Sequence, residues 1–137
     1  MSKPPVEVTL RWTRDLVFDS TIARGAGPVL DSDGEAGTSP VQALALALGS
    51  CMAVDVVMIL QKGRHDLRGL VVKVVGTRDD GPPSYFTGFT IEYTVTGPVP
   101  EAAIQRAVEL SRDKYCSVWH SLRRDTPLEI RVVRIDG

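Results

Sequence analysis

An α+β fold with a largely antiparallel sheet is what this chain predicts, from three observations. Segments with two-residue alternation lie near the N-terminus, at 6–13, and in the second half of the chain, at 86–96. A single apolar run of 20 residues, 41–60, interrupts them. The element order is strands, long helix, strands, helices, strand, without the regular alternation of strand and helix that builds a parallel sheet. At 137 residues the chain is expected to form one domain, 1–137, with a core but no room for two.

The first alternating segment, 6–13, places Val6, Val8, Leu10 and Trp12 on one face and Glu7, Thr9, Arg11 and Thr13 on the other, a half-buried strand. Residues 16–21 are its hairpin partner, and 28–30 form a short third strand between glycine-rich turns. Residues 31–37, rich in Asp, Ser and Gly, are loop. Ser39 then caps a helix whose first position is Pro40, where the missing N–H costs nothing. Lys62-Gly63-Arg64 closes that helix with cations and a glycine. Residues 70–78 and 86–96 form a long antiparallel pair, and in the second strand Phe89, Ile91, Tyr93 and Val95 share a face. A helix opens at Pro100-Glu101 with Ala103, Ala107 and Leu110 at helical spacing. A short helix at 116–123 and a strand at 128–135 complete the order.

Charge names no partner. Sixteen Lys and Arg against 17 Asp and Glu give a formal net charge of −1, without the basic field that nucleic acid requires. Residues 1–5 lack the pattern of a signal peptide, so the expected location is cytoplasmic. The run 41–60 has spanning length, but it carries Asp55, Gln42 and Ser50 in a chain whose other elements are ordinary amphipathic ones. The expectation is therefore no membrane span but a helix surrounded by protein. In a chain this short, the covering layers are expected to come partly from a second copy.

Two cysteines, Cys51 and Cys116, are the candidate reactive groups. Two thiols allow one intramolecular disulfide, and a reversible one would make a dithiol redox protein; two inert core thiols are the plain alternative. The thiolate is the nucleophile, so a reactive cysteine needs a cation or a helix N-terminus nearby. Cys116 has a candidate helix start, with Lys114 close by. Cys51 is three turns into its helix, and an arginine from the first hairpin (Arg11, Arg14 or Arg24) would have to reach it. His120, four residues after Cys116, suggests a Cys-His dyad or a metal pair. With His65 the only other histidine, no closed zinc spacing exists. Asp55, four residues after Cys51, reads as a polar group hydrogen-bonded in a helix interface.

Ser39-Pro40-Val41-Gln42-Ala43-Leu44, continuing through Leu48-Gly49-Ser50-Cys51-Met52-Ala53-Val54-Asp55-Val56-Val57-Met58-Ile59-Leu60, resembles the central helix of OsmC/Ohr-like proteins. Ala107-Val108-Glu109-Leu110-Ser111-Arg112-Asp113-Lys114-Tyr115-Cys116-Ser117-Val118 resembles their second cysteine motif, in the right order. The resemblance implies an OsmC-like fold, antiparallel sheets around a long central helix in an intertwined homodimer. It further implies a thiol-dependent peroxidase of the oxidative stress response, reducing organic hydroperoxides. Cys51 would attack and Cys116 resolve, Arg14 would lie beside the reactive thiol, and no cofactor or metal would be needed. Partners implied are a hydroperoxide substrate and a dithiol reductant such as a lipoylated protein. The wording Ala-Val-Asp-Val-Val after Cys51 is closer to the uncharacterised OsmC-like branch than to established hydroperoxide reductases. Active members carry a glutamate just after the helix-opening proline, where Val41 and Gln42 stand here. The alternative implied by that departure is a non-catalytic OsmC-like protein that binds an apolar small molecule or responds to oxidation without turnover.

Overall fold

The computed structural model describes residues 3–136; Met1, Ser2 and Gly137, the outer ends of the expected 1–137 domain and of the N-terminal stretch, lie outside them. Contacts divide the chain into two compact units, 1–44 and 45–137, and the long helix begins in the first and runs through the second.

The first unit is a hairpin sheet. Strands β1 (Thr9–Arg14) and β2 (Val17–Ile22) pair antiparallel, Thr9 with Thr21 through Arg14 with Val17, around Asp15 in a left-handed conformation at φ 45°. The other edge of β2 takes two short strands, β3 (Gly25–Ala26) and β4 (Leu30–Asp31). The hairpin and the strand near residue 30 match the alternation, whereas β3 is an addition. The expected half-buried face does not form within the first unit: all of β1 is exposed, Leu10 at 52% and Trp12 at 70%, and the strand begins at Thr9 rather than Val6. Asp31, buried, ties the following loop by accepting the N–H groups of Asp33, Glu35 and Ala36 at 2.9–3.2 Å. Those donors, Ala36 foremost, hold its carboxyl below the usual range, with Arg14 adding a smaller pull.

Helix α1 (Pro40–Lys62) starts with a reciprocal cap: the Gln42 N–H donates to Ser39 Oγ at 3.1 Å, and the Ser39 N–H donates to Gln42 Oε1 at 3.2 Å. It ends at Lys62, as the Lys62-Gly63-Arg64 run suggests, and Arg64 takes a left-handed turn at φ 61°. By length and composition α1 could cross a membrane. In the second unit, however, it presents a stripe, Leu48, Met52, Val56 and Leu60, at four-residue steps and almost fully buried. It is not apolar-covered on every side: Leu46, Val54 and Met58 remain exposed.

The stripe belongs to the core that a three-stranded sheet provides. Strands β5 (Gly69–Arg78) and β6 (Phe86–Thr96) pair antiparallel, and β7 (Leu128–Ile135) joins β6 in parallel, so the sheet is mixed. Phe89, Ile91, Tyr93 and Val95 of the central strand are buried, as their alternation predicts. Helix α2 (Glu101–Leu110) contributes Ile104, Ala107 and Val108, one position round from the expected Ala103 and Leu110 face, both of which are only half-buried. A π-helical turn (Ser111–Tyr115) follows, and α3 (Ser117–His120) is shorter than the 116–123 helix expected.

At Gly49 α1 packs tightly on β5, since a Cβ there would lie 2.7 Å from Val74 Cγ2. Alanine gains about 1 kcal/mol of helix propensity. Overpacking a stiff valine costs about 1–3 kcal/mol. Gly49→Ala is therefore expected to lower the urea midpoint with an unchanged m-value; a higher midpoint would show that the helix moves away freely.

Candidate functional site: a buried thiol beside a half-exposed one

Cys51 comes one position before Met52 of the buried stripe of α1, so its side chain is half-buried at the edge of the core. Cys116 reaches the same place from the other direction. After α2, the wide turn lets the Cys116 N–H donate to Ser111 O at 2.8 Å, five residues back, and re-aims the chain inward. Cys116 itself is fully buried and caps α3, its Sγ accepting the Trp119 N–H at 3.3 Å. The Cys51 thiol packs against the same core and is near enough to act on it. The pair expected from sequence, 65 positions apart, is thus brought together, both thiols free.

Their environments differ. Burial pushes the Cys116 thiol up to about 11. The Trp119 and Val118 N–H groups pull the other way, and the neighbouring Cys51 adds to the rise. A helix start is present, as expected, but burial outweighs it. At neutral pH Cys116 is therefore held as the thiol.

Asp55 accepts a hydrogen bond from Ser111 Oγ at 2.7 Å, joining α1 to the end of α2. This is the helix-interface bond expected of it. Ser111 and Tyr93 were not singled out from sequence. Ser111, four residues after the buried Ala107, continues that helix face, and Tyr93 lies on the inward side of β6, so their positions were readable although their partners were not. His120 forms no dyad: its Nδ1 lies 2.8 Å from Cys116 O and its Nε2 3.2 Å from Asp113 O, so both ring nitrogens face backbone carbonyls. Among the described residues no three His, Cys, Asp or Glu side chains cluster closely enough to hold a metal. Beside Asp55 an open groove of about 780 Å³ is lined by Met58, Ile59, Leu110, Arg106 and Tyr115, among others.

Arg14, Arg11 and Arg24 belong to the first unit. There Arg14 pairs with Asp15 at 3.3 Å on the surface and borders a pocket with Asp31, Asp33 and Glu35. Arg11 donates to Thr21 Oγ1 at 2.6 Å, and Arg24 is exposed. Gln42, in the place of the glutamate, is engaged in the cap of α1.

Residues 32–131 match the family described as OsmC-like protein. The chain belongs to that family. It is 38% identical over 115 residues to Protein YhfA of Escherichia coli (strain K12), covering 82% of this chain and 86% of that protein. Among solved structures it is similar to a hypothetical protein from Aquifex aeolicus VF5, at TM-score 0.90 and 30% identity, covering 98% and 99% of the two chains. The organic hydroperoxide resistance protein OhrB of Bacillus subtilis shares the fold at TM-score 0.64 with 15% identity, over 93% of this chain and 97% of that one. These likenesses establish the OsmC-like family anticipated from the cysteine motifs and its α+β fold, which OhrB shares.

The unequal burial has a direct chemical consequence. Under limiting iodoacetamide at pH 7, mass spectrometry is expected to find Cys51 alkylated well before Cys116, with Cys116 labelling rising as pH approaches 11. Equal labelling at pH 7 would contradict the assigned environments.

Proposed function

We propose that this OsmC-like protein is a thiol-dependent peroxidase for organic hydroperoxides, serving the oxidative stress response, with Cys51 attacking and Cys116 resolving. The observation that carries the reading is the pairing of a half-exposed thiol with a buried, high-pKa thiol in one core. In the first step the Cys51 thiolate attacks one peroxide oxygen and the O–O bond breaks, giving a Cys51 sulfenic acid and an alkoxide that takes a proton to become the alcohol. Cys116 then attacks the Cys51 sulfur. The disulfide forms, and the sulfenic hydroxyl leaves with the thiol proton as water. A dithiol, such as a lipoylated protein or dihydrolipoamide, restores the pair by exchange. Arg14 is the first choice for the cation beside Cys51, and no cofactor or metal enters this scheme. A cytoplasmic location fits two free thiols, and the scheme involves neither nucleic acid nor a membrane.

The reading includes a homodimer. Exposed Leu46, Val54 and Met58 on α1, together with the apolar faces of Val8, Leu10 and Trp12, leave apolar surface that a second copy of the chain would cover. A second reading, a non-catalytic binding or redox-responsive protein, is favoured by one observation: Gln42 is committed to the α1 cap and carries no charge to orient an arginine.

An assay with cumene hydroperoxide and dihydrolipoamide separates the two. Cys51→Ser is expected to abolish peroxide consumption. Cys116→Ser should consume about one equivalent and leave a dimedone-reactive, over-oxidisable Cys51. Arg14→Ala should slow the first step, with Arg11→Ala as control. No consumption by the parent protein would select the second reading. Sedimentation at micromolar concentration is expected to show a dimer, and a stable folded monomer would rule that part out.

A further inference from the structure

Tyr93 stands in the middle of β6, the central strand, with Val72 and Val132 as its cross-strand neighbours. It is fully buried, and its hydroxyl is a buried side-chain polar atom with no hydrogen-bond partner among the described residues. Buried tyrosines normally find a partner for the hydroxyl, because an orphaned donor loses its water without compensation. Phenylalanine would fill the same space without that loss. Tyr93 and Cys116 share one buried cluster, and the Cys116 thiol and, more weakly, the Asp55 carboxylate are near enough for their charge to act on the hydroxyl. Asp55 is already engaged by Ser111 Oγ. Burial, then these two charges, push the phenol upward, so at neutral pH it keeps its proton and has an O–H to donate. An unused donor therefore lies near a sulfur that is neutral at rest and must carry negative charge in order to attack.

We propose that the Tyr93 hydroxyl is the hydrogen-bond donor to the Cys116 sulfur as that thiol ionises and attacks Cys51. This deepens the proposed peroxidase reading and rests on its assignment of Cys116 as the resolving thiol. The tyrosine gives up no proton. Its O–H points at the Cys116 sulfur while the S–H bond breaks, the S–S bond to Cys51 forms, and the sulfenic hydroxyl departs with the thiol proton as water. In the reduced state the hydroxyl is an uncompensated cost. In the ionised state it gains a charged acceptor, and that difference lowers the barrier to resolution.

The resolving step can be isolated without peroxide. With 5,5′-dithiobis(2-nitrobenzoate), Cys51 forms a mixed disulfide and releases one thionitrobenzoate. Cys116 then displaces the second while losing its proton, closing the Cys51–Cys116 disulfide. In Tyr93→Phe the first release should be unchanged and the second slowed about tenfold, the factor corresponding to one hydrogen bond to a charged acceptor. The pH midpoint of the second phase should move upward, and the melting temperature should not fall. Cys51 and Asp55 on α1 are the other titratable side chains near the pair; His120 is turned to backbone carbonyls and Asp113 is paired with Arg112. A second phase at the parental rate, or one slowed without a shifted midpoint, would overturn the proposal. If the parent consumes no hydroperoxide yet Tyr93→Phe shows the slowed and shifted second release, the peroxidase reading fails and the role of Tyr93 stands.

Discussion

Burial of one stripe of α1 against the inward face of β6 is the constraint on which the second unit depends. Leu48, Met52, Val56 and Leu60 recur every four residues, so they lie along one slowly rotating line on the helix, and the sheet supplies Phe89, Ile91, Tyr93 and Val95 in the same core. Each such side chain stabilises the fold by about 1.5–3 kcal/mol when fully removed from water. Gly49 lets the helix approach Val74 closely enough for this contact. Once the stripe is seated, Cys51, one position before Met52, is held at the core's margin and has little freedom to choose its neighbours.

The second cysteine arrives by a different device. A regular continuation of α2 would carry residue 116 along the helix axis, but the π-helical turn ends that course and Cys116 adopts an extended conformation at φ −71° and ψ 104°. The thiol then sits inside the core rather than on a helix surface. Burial raises its pKa, while the first N–H groups of α3 restrain that rise. The result is asymmetry between two chemically identical groups: one half-exposed, the other shielded and reluctant to ionise. A division of labour between attack and resolution needs such a difference, and here packing supplies it without a metal-ligand cluster among the described residues.

Polar groups within this core are few, and each has a distinct status. The Ser111–Asp55 bond satisfies one half-buried carboxylate and fastens α1 to the end of α2. The Tyr93 hydroxyl is left without a partner beside the same two elements. A fully apolar core would have been simpler to pack, so a retained orphan beside a thiol pair is more readily understood through the sulfur's changing charge than through the resting fold. The first unit spends its polar groups differently: Asp31 organises a loop, and Ser39 with Gln42 starts α1.

By itself, the sequence determined the elements and the two thiols. Period-two alternation fixed β1, β6 and β7 because side chains of a strand point to opposite faces whatever lies beyond them. Ser39-Pro40 fixed the start of α1 because capping is a local interaction. The cysteine motifs likewise carried the family. Only the tertiary structure decided that Cys116 is buried enough for desolvation to defeat its helix-start donors, that His120 turns to carbonyls, and that Tyr93 lacks a partner. It also showed that the apolar face of β1 is not covered within the first unit, and that Arg64 takes a left-handed turn after α1. The physical reason is common to all of these: periodicity reports which side of an element a residue occupies, whereas pKa, hydrogen-bond satisfaction and coverage depend on what another element, distant in sequence, places against it.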